Sequence, residues 1–312
     1  MKTQARPTNV PWLVAGAVFM ALLLVVVWHF HQDESPTARL AAKADRVDLV
    51  GRMQLDLAFA SEAEKSAVLA VTDEASRTFA NQARAATANV AREHQELSTF
   101  LTTGASQRER QLLVQFAGAF TNLQRIDEDV LALAVKNTNL KAYALLFGPA
   151  ADRLAQMDTA LDRVVTKSAT WPETKQVMLM AFGARLGILR IQALLAPHIA
   201  EESDAKMDRM EAAMAKEETQ IHKDLDGLVT LPKLSGDADL GTAVSRFASY
   251  GELKAQILVF SRENTNVRSL TLSLNQKRKA LAVCLDTLAS LKQAILDEAI
   301  PGVTYGRPAK PR

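Results

Sequence analysis

Twenty positions from Pro11 to Phe30, PWLVAGAVFMALLLVVVWHF, carry no formal charge. At 1.5 Å per residue such a run spans a ~30 Å hydrocarbon layer, and it predicts a transmembrane helix over residues 11–30. A cleaved signal peptide would show a shorter apolar core and a small-x-small cleavage site, whereas HFHQDESPT follows here. Lys2 and Arg6 precede the run and Asp33 and Glu34 follow it, which predicts a cytoplasmic N-terminus over 1–10 and an exported remainder. Trp12 and Trp28 stand near the two ends, where amphipathic rings meet the headgroups. A second apolar stretch, Val177–Ala196, contains Arg185 and Arg190 near its middle. At about 2.5–3.5 kcal/mol per central arginine it reads as a buried bundle helix and not as a second span.

From Ser35 onward apolar residues recur at three- and four-residue spacing, the period of amphipathic helices. Ser35-Pro36 opens the first helix, and Thr72 or Asp73 caps the second. Thr102–Ser106 punctuates before a third run to Phe147, where Gly148-Pro149 is expected to stop one helix and start another. Ala169–Pro172 marks the midpoint, Pro197 interrupts the next run, Leu231–Asp239 forms a loop and Asn275 marks the last turn. Eight helices result.

The two halves resemble copies of one another. Residues 120–139 align without a gap on 247–266, a displacement of 127 positions (Phe120 against Phe247), which brings Asn137-Thr138-Asn139 onto Asn264-Thr265-Asn266. Asp158-Thr159 matches Asp286-Thr287, and His94 matches His222, at 128. A period this long exceeds the 20–50 residues of solenoid repeats, so each copy is expected to be a four-helix module. The chain therefore reads as all-α: an N-terminal transmembrane helix, two tandem antiparallel four-helix bundles over 35–169 and 171–299, and a basic Pro/Gly tail over 300–312.

Composition narrows the function. Apolar residues make up 48% and aromatic residues only 5% of the chain, a folded helical profile. Lys and Arg exceed Asp and Glu by 37 to 35, so no basic surface for nucleic acid is expected. The single Cys284 lies in an apolar helical pattern and reads as a buried hydrophobe. There is no GxSxG, HExxH or phosphate loop and no Cys/His pairing, so neither an enzyme nor a metal or cofactor site is expected.

Three segments carry a family likeness: Ala63–Ala85 (AEKSAVLAVTDEASRTFANQARA), Val135–Leu154 (VKNTNLKAYALLFGPAADRL) and Ser261–Leu281 (SRENTNVRSLTLSLNQKRKAL). They resemble the four-helix-bundle sensor domains of methyl-accepting chemotaxis receptors, and the tandem order resembles the helical bimodular variant. The resemblance covers roughly Ser35 to Ala299. It implies small-molecule sensing, often of organic acids, outside the cytoplasm, and dimerisation or a partner receptor. Receptors of that family continue through a second transmembrane helix into a HAMP linker and a signalling hairpin, whereas this sequence ends in AIPGVTYGRPAKPR. A sensor-like accessory, a degenerate receptor and an incomplete reading frame are the readings that remain. The whole reads as a single-pass bacterial inner-membrane protein with its bulk in the periplasm. The alternative is a non-catalytic helical scaffold or adaptor for another envelope protein.

Candidate ligand contacts are few. Asn137, Thr138 and Asn139, with their copies Asn264, Thr265 and Asn266, offer amides and hydroxyls that orient a ligand carboxylate inside a bundle, or else form a polar layer satisfied by neighbouring helices. Arg52 and Arg185 lie early in the first helix of each half. A guanidinium fork there captures a carboxylate or extends its head to solvent. His94 and His222 have no second ligand repeating with them, so a solvated helix face is expected for both.

Overall fold

The computed structural model describes residues 20, 35–102 and 105–300. The predicted transmembrane run 11–30, the N-terminal segment 1–10 and the tail beyond Ile300 lie outside the described residues, as do Thr103 and Gly104. Among the described residues the fold is all-α with no strand. Ten α-helices are described: α1 (Pro36–Leu69), α2 (Asp73–Phe100), α3 (Gln107–Ala134), α4 (Thr138–Leu145), α5 (Ala151–Lys167), α6 (Thr174–Ala200), α7 (Asp204–Val229), α8 (Ala238–Glu263), α9 (Thr265–Leu272) and α10 (Arg278–Asp297). Their starts follow capping chemistry. Ser35 Oγ accepts from Ala38 N, Thr72 Oγ1 from Ala75 N, Ser106 Oγ from Glu109 N, and Asp237 from Asp239 N and Leu240 N.

The breaks differ from the expected ones. Gly148-Pro149 sits inside a five-residue π turn, Leu146–Ala150, which leads directly into α5; Gly148 absorbs the kink with φ −103 and ψ −105. A matching π turn, Ser273–Lys277, contains Asn275. The true interruptions fall ten or so residues earlier, at Asn137 and Asn264, each at φ 51 and ψ 39. Asparagine is one of the few non-glycine residues that enter this left-handed region readily, and here its amide is held by partners from distant segments. Pro197 does not stop α6, which runs on to Ala200. The sequence αL-Asn, eight-residue helix, π turn, helix thus occurs twice at a displacement of 127, and buried Met157, Leu161 and Val164 match buried Cys284, Leu288 and Leu291 in that register. The Asp158-Thr159 likeness at 128 is one residue out of it.

The chain divides into two compact units. The first takes residues 1–54, 91–116 and 286–312. Among its described residues Leu49, Val50, Met53, Leu97, Phe116 and Leu291 are buried. Arg46 joins Glu109 at 2.8 Å and Glu298 at 2.6 Å, while Lys43 Nζ donates to the carbonyls of Leu296 and Glu298 and so caps the C-terminal end of α10. Burial pushes the Glu109 carboxyl up, against the pull of Arg46.

The second unit takes residues 55–90 and 117–285. Within it α5, α6, α7 and α8 pack as a four-helix bundle around one core that runs from Met157 and Leu161 through Ile188, Ile191 and Ile221 to Phe247 and Tyr250. This bundle draws α5 from the first half of the sequence and the other three helices from the second. The packing unit therefore differs from the segments 35–169 and 171–299 read from the repeat: α5 finds its most extensive partner in α8, across the repeat boundary.

α6 is the one helix among the described residues that is long and apolar enough to cross a membrane, with a third of its apolar window buried. Its inner face carries Val177, Ala181, Ala184, Ile188, Ile191 and Leu195; Leu179, Phe182, Leu186 and Leu189 on its other face are exposed. The expectation of a buried bundle helix holds for the inner face only. α6 lies close enough to α7 that a Cβ on Gly187 would meet Ile221 Cγ1 at 2.7 Å. Gly187→Ala is therefore expected to destabilise by about 1–3 kcal/mol through overpacking, exceeding the helix-propensity gain. Gly251→Ala, with nothing within 4 Å of its Cβ position, is expected to stabilise by up to about 1 kcal/mol. Urea denaturation of the two variants beside the parent measures both.

Candidate functional site

Helices α4 and α9 each begin immediately after a left-handed asparagine, and a helix start leaves backbone N–H groups without intrahelical partners. In the second unit the two starts meet and cap one another. Thr138 N donates to Thr265 Oγ1 at 3.1 Å and Thr265 N to Thr138 Oγ1 at 3.1 Å. Asn139 N donates to Asn266 Oδ1 at 3.2 Å and Asn266 N to Asn139 Oδ1 at 3.1 Å. The amides close the pattern: Asn139 Nδ2 donates to Asn264 Oδ1 at 2.7 Å and Asn266 Nδ2 to Asn137 Oδ1 at 3.0 Å. Each bond has its mate under exchange of the two motifs, so the layer is a local two-fold.

The layer is also tied outward. Asn139 Nδ2 and Asn264 Nδ2 donate to the carbonyls of Ile199 and Glu201 at the end of α6, each at 2.6 Å. Asn137 Nδ2 donates to Asp73 Oδ1 at the start of α2, and this bond, with Lys141, holds the Asp73 carboxyl below its usual range. All four asparagine amides are satisfied on both oxygen and nitrogen. Asn137, Thr138, Asn139, Asn264 and Thr265 are buried. The structure thus brings together all six polar residues of the repeated motif, in the arrangement of a polar layer satisfied by neighbouring helices.

Two further polar groups lie in the same unit. His198, fully buried near the end of α6, approaches Glu211 Oε1 through Nε2 at 2.8 Å and Ser261 Oγ through Nδ1 at 2.7 Å. Arg262 Nε shares the same Glu211 oxygen at 2.6 Å and holds the Glu211 carboxyl below its usual range. Lys277, at the end of the second π turn, meets Glu64 Oε2 at 2.6 Å and Asp127 Oδ1 at 3.0 Å. All three are buried, and two carboxylates share one ammonium; desolvation raises the Asp127 carboxyl above its ordinary range despite the pull of Lys277. Sequence reading missed this trio because the three residues lie on different helices, 63 and 150 positions apart. The repeat gives no hint either, since the counterparts of Asp127 and Lys277 are Lys254 and Ala150.

The remaining candidates stand elsewhere. Arg185 forks onto Asp158 at 2.5 and 3.0 Å and lies over the Phe182 ring. Arg52, half-exposed, pairs with Asp48 at 3.1 Å. His94 is half-buried against Phe116, with Nε2 unpartnered and its basicity lowered by burial, and so is not on a solvated face. His222 is exposed beside Phe247. Among the described residues no group of three or more His, Cys, Asp or Glu can hold a metal ion. Beside Arg262 a shallow, open depression of about 560 Å³ is lined by Glu211, Leu258, Val259, Arg262, Glu263 and Arg268.

Residues 59–175 match the family model described as a four helix bundle sensory module for signal transduction, the sensory module of chemotaxis receptors. The likeness read from the sequence is borne out over that segment, a little over a third of the chain. No curated protein matches the chain.

Two substitutions test the buried charges. Lys277→Met is expected to cost about 3–5 kcal/mol at pH 7, because it leaves two buried carboxylates uncompensated, and less at low pH, where the raised Asp127 carboxyl is protonated. Asp127→Asn leaves the Lys277–Glu64 pair and is expected to cost under about 1 kcal/mol. Since the folded carboxyl of Asp127 titrates above its unfolded value, its contribution is complete below the ordinary carboxylate range and is lost as pH rises through the raised value. Asp127→Asn should remove that slope, as denaturation at a series of pH values will read. In the polar layer, Asn264→Ala is expected to be more destabilising than Asn264→Gly by about 1–2 kcal/mol, the left-handed backbone penalty, measured by the same unfolding experiment.

Proposed function

We infer that the chain is a membrane-anchored sensor of the chemotaxis-receptor type, with its helical part in the periplasm and a small molecule such as an organic acid as its signal. The observation that carries this reading is the sensory-module match over residues 59–175. The charge-free run Pro11–Phe30 supports the anchor, and Lys2 and Arg6 before it support the orientation. No catalytic step is assigned.

The mutual satisfaction of the Asn-Thr-Asn groups supports a joint in that layer, with ligand contact moved to the neighbouring depression. Arg268 borders this depression and donates to the Arg262 carbonyl. Its counterpart in the first copy is Lys141, which pairs with Asp73 at 3.2 Å. Arg268 occupies the equivalent cationic position with no carboxylate ion pair among the described residues, and a ligand carboxylate suits it. Occupancy there acts on α8 and α9, the two helices that meet at Asn264. A shift of an ångström or two between packed arrangements is the expected form of the response.

The test is a thermal-shift screen of the full chain in detergent against organic acids and amino acids. A ligand at 100 times its Kd is expected to stabilise the fold by about 2.7 kcal/mol, and Arg268→Ala is expected to abolish the shift. Silence across the panel overturns small-molecule sensing; a shift that survives Arg268→Ala moves the pocket elsewhere.

A further inference from the structure

Helix α6 is apolar on two opposite faces, one buried and one exposed. Its inner face fills the bundle core. On its outer face Leu179, Phe182, Leu186 and Leu189 recur at spacings of three, four and three, with Met178 alongside, and each of the five is 39–66% exposed. Polar residues ordinarily occupy such positions on a surface helix. Three-four-three is the spacing of a and d positions that let one helix pack along another.

The area suits a specific partner. The five side chains present roughly 500 Å² of apolar surface, at the upper end of what a monomer leaves open. Two such patches facing one another bury ~1,000 Å², the size at which a specific interface begins. The flanks carry the charge pattern to match. On one side Arg185 is paired with Asp158 and lies within 3.6 Å of exposed Asp162; on the other Arg190 is held only loosely by Glu217, at 3.4 Å. Pairing about a two-fold parallel to the helix sets the Asp158 and Asp162 flank of one copy against the Arg190 flank of the other. Opposite charges then meet along both rims.

We propose that the outer face of α6 is the seam along which two copies of this chain pair, in parallel, with Leu179, Phe182, Leu186 and Leu189 each meeting its own equivalent. This seam lies wholly beyond residues 59–175, so the family likeness does not supply it. The parallel sense follows from the rim charges, since an antiparallel two-fold would set each Asp158 and Asp162 flank against its own copy; the inference rests on the anchoring proposed above only in that two anchored copies share one membrane. It is independent of the depression and of any ligand.

Oxidative crosslinking of the full chain in nanodiscs tests it, with Cys284→Ser as background. Leu186→Cys is expected to give a disulfide-linked dimer rapidly, because a parallel two-fold brings that position against itself. Val259→Cys, more exposed than Leu186 but on α8, is expected to crosslink only at the rate of random collision. In detergent, Leu179→Glu with Leu186→Glu is expected to weaken self-association by about tenfold or more, with helicity unchanged because both side chains lie outside the bundle core. Equal crosslinking at positions 186 and 259 overturns the proposal, as does association that ignores the two glutamates. If the face lies against lipid, Leu186→Cys resists both crosslinking and a water-soluble maleimide, and that outcome also overturns it.

Discussion

Four backbone N–H groups at the starts of α4 and α9 are buried where no intrahelical carbonyl can reach them, and the second unit is organised around satisfying them. A buried orphan donor costs about 1–3 kcal/mol, so four in one layer would exceed a large part of a domain's net stability. The repeated Asn-Thr-Asn motif meets the demand by turning each helix start into the cap of the other. The solution works only for a pair. Neither motif can close its own bonds, which gives a physical role to the two copies of this stretch.

Several features follow from that layer. Beyond it, α5 of the first half of the sequence packs on α8 of the second, and a four-helix bundle forms from residues on both sides of the repeat boundary. The amides that remain after reciprocal capping reach Asp73 on one side and the carbonyls of Ile199 and Glu201 on the other. The C-terminal end of α6 and the start of α2 are thereby fixed to the same layer. His198, Glu211, Ser261 and Arg262 extend the polar network along α6, α7 and α8. Lys277 with Glu64 and Asp127 places buried charge in the same unit, and the two carboxylates depend on the one ammonium for their compensation. A unit built this way concentrates its discrete, geometry-demanding contacts at one joint, while the bundle core is held by non-directional apolar packing.

The sequence by itself determined the helical class, the apolar run at 11–30, most helix starts and the existence of two related halves. These depend on local quantities: the period of apolar positions, the capping chemistry of Ser35, Thr72 and Ser106, and identity at a displacement of 127. It also brought the six Asn-Thr-Asn residues to notice, though as ligand contacts as much as a polar layer, since an amide looks the same whether its partner is a ligand or its own copy. Only the tertiary structure decided which helices pack together, because an apolar stripe on α5 says that the helix is buried but not against which partner, and the partner proved to be α8. It alone showed the Lys277 trio, which no spacing on one helix announces, and the left-handed breaks at Asn137 and Asn264 in place of Gly148-Pro149. A glycine and a proline signal a break wherever they stand, whereas an asparagine adopts φ 51 only when partners from distant segments make that conformation the one with every hydrogen bond formed.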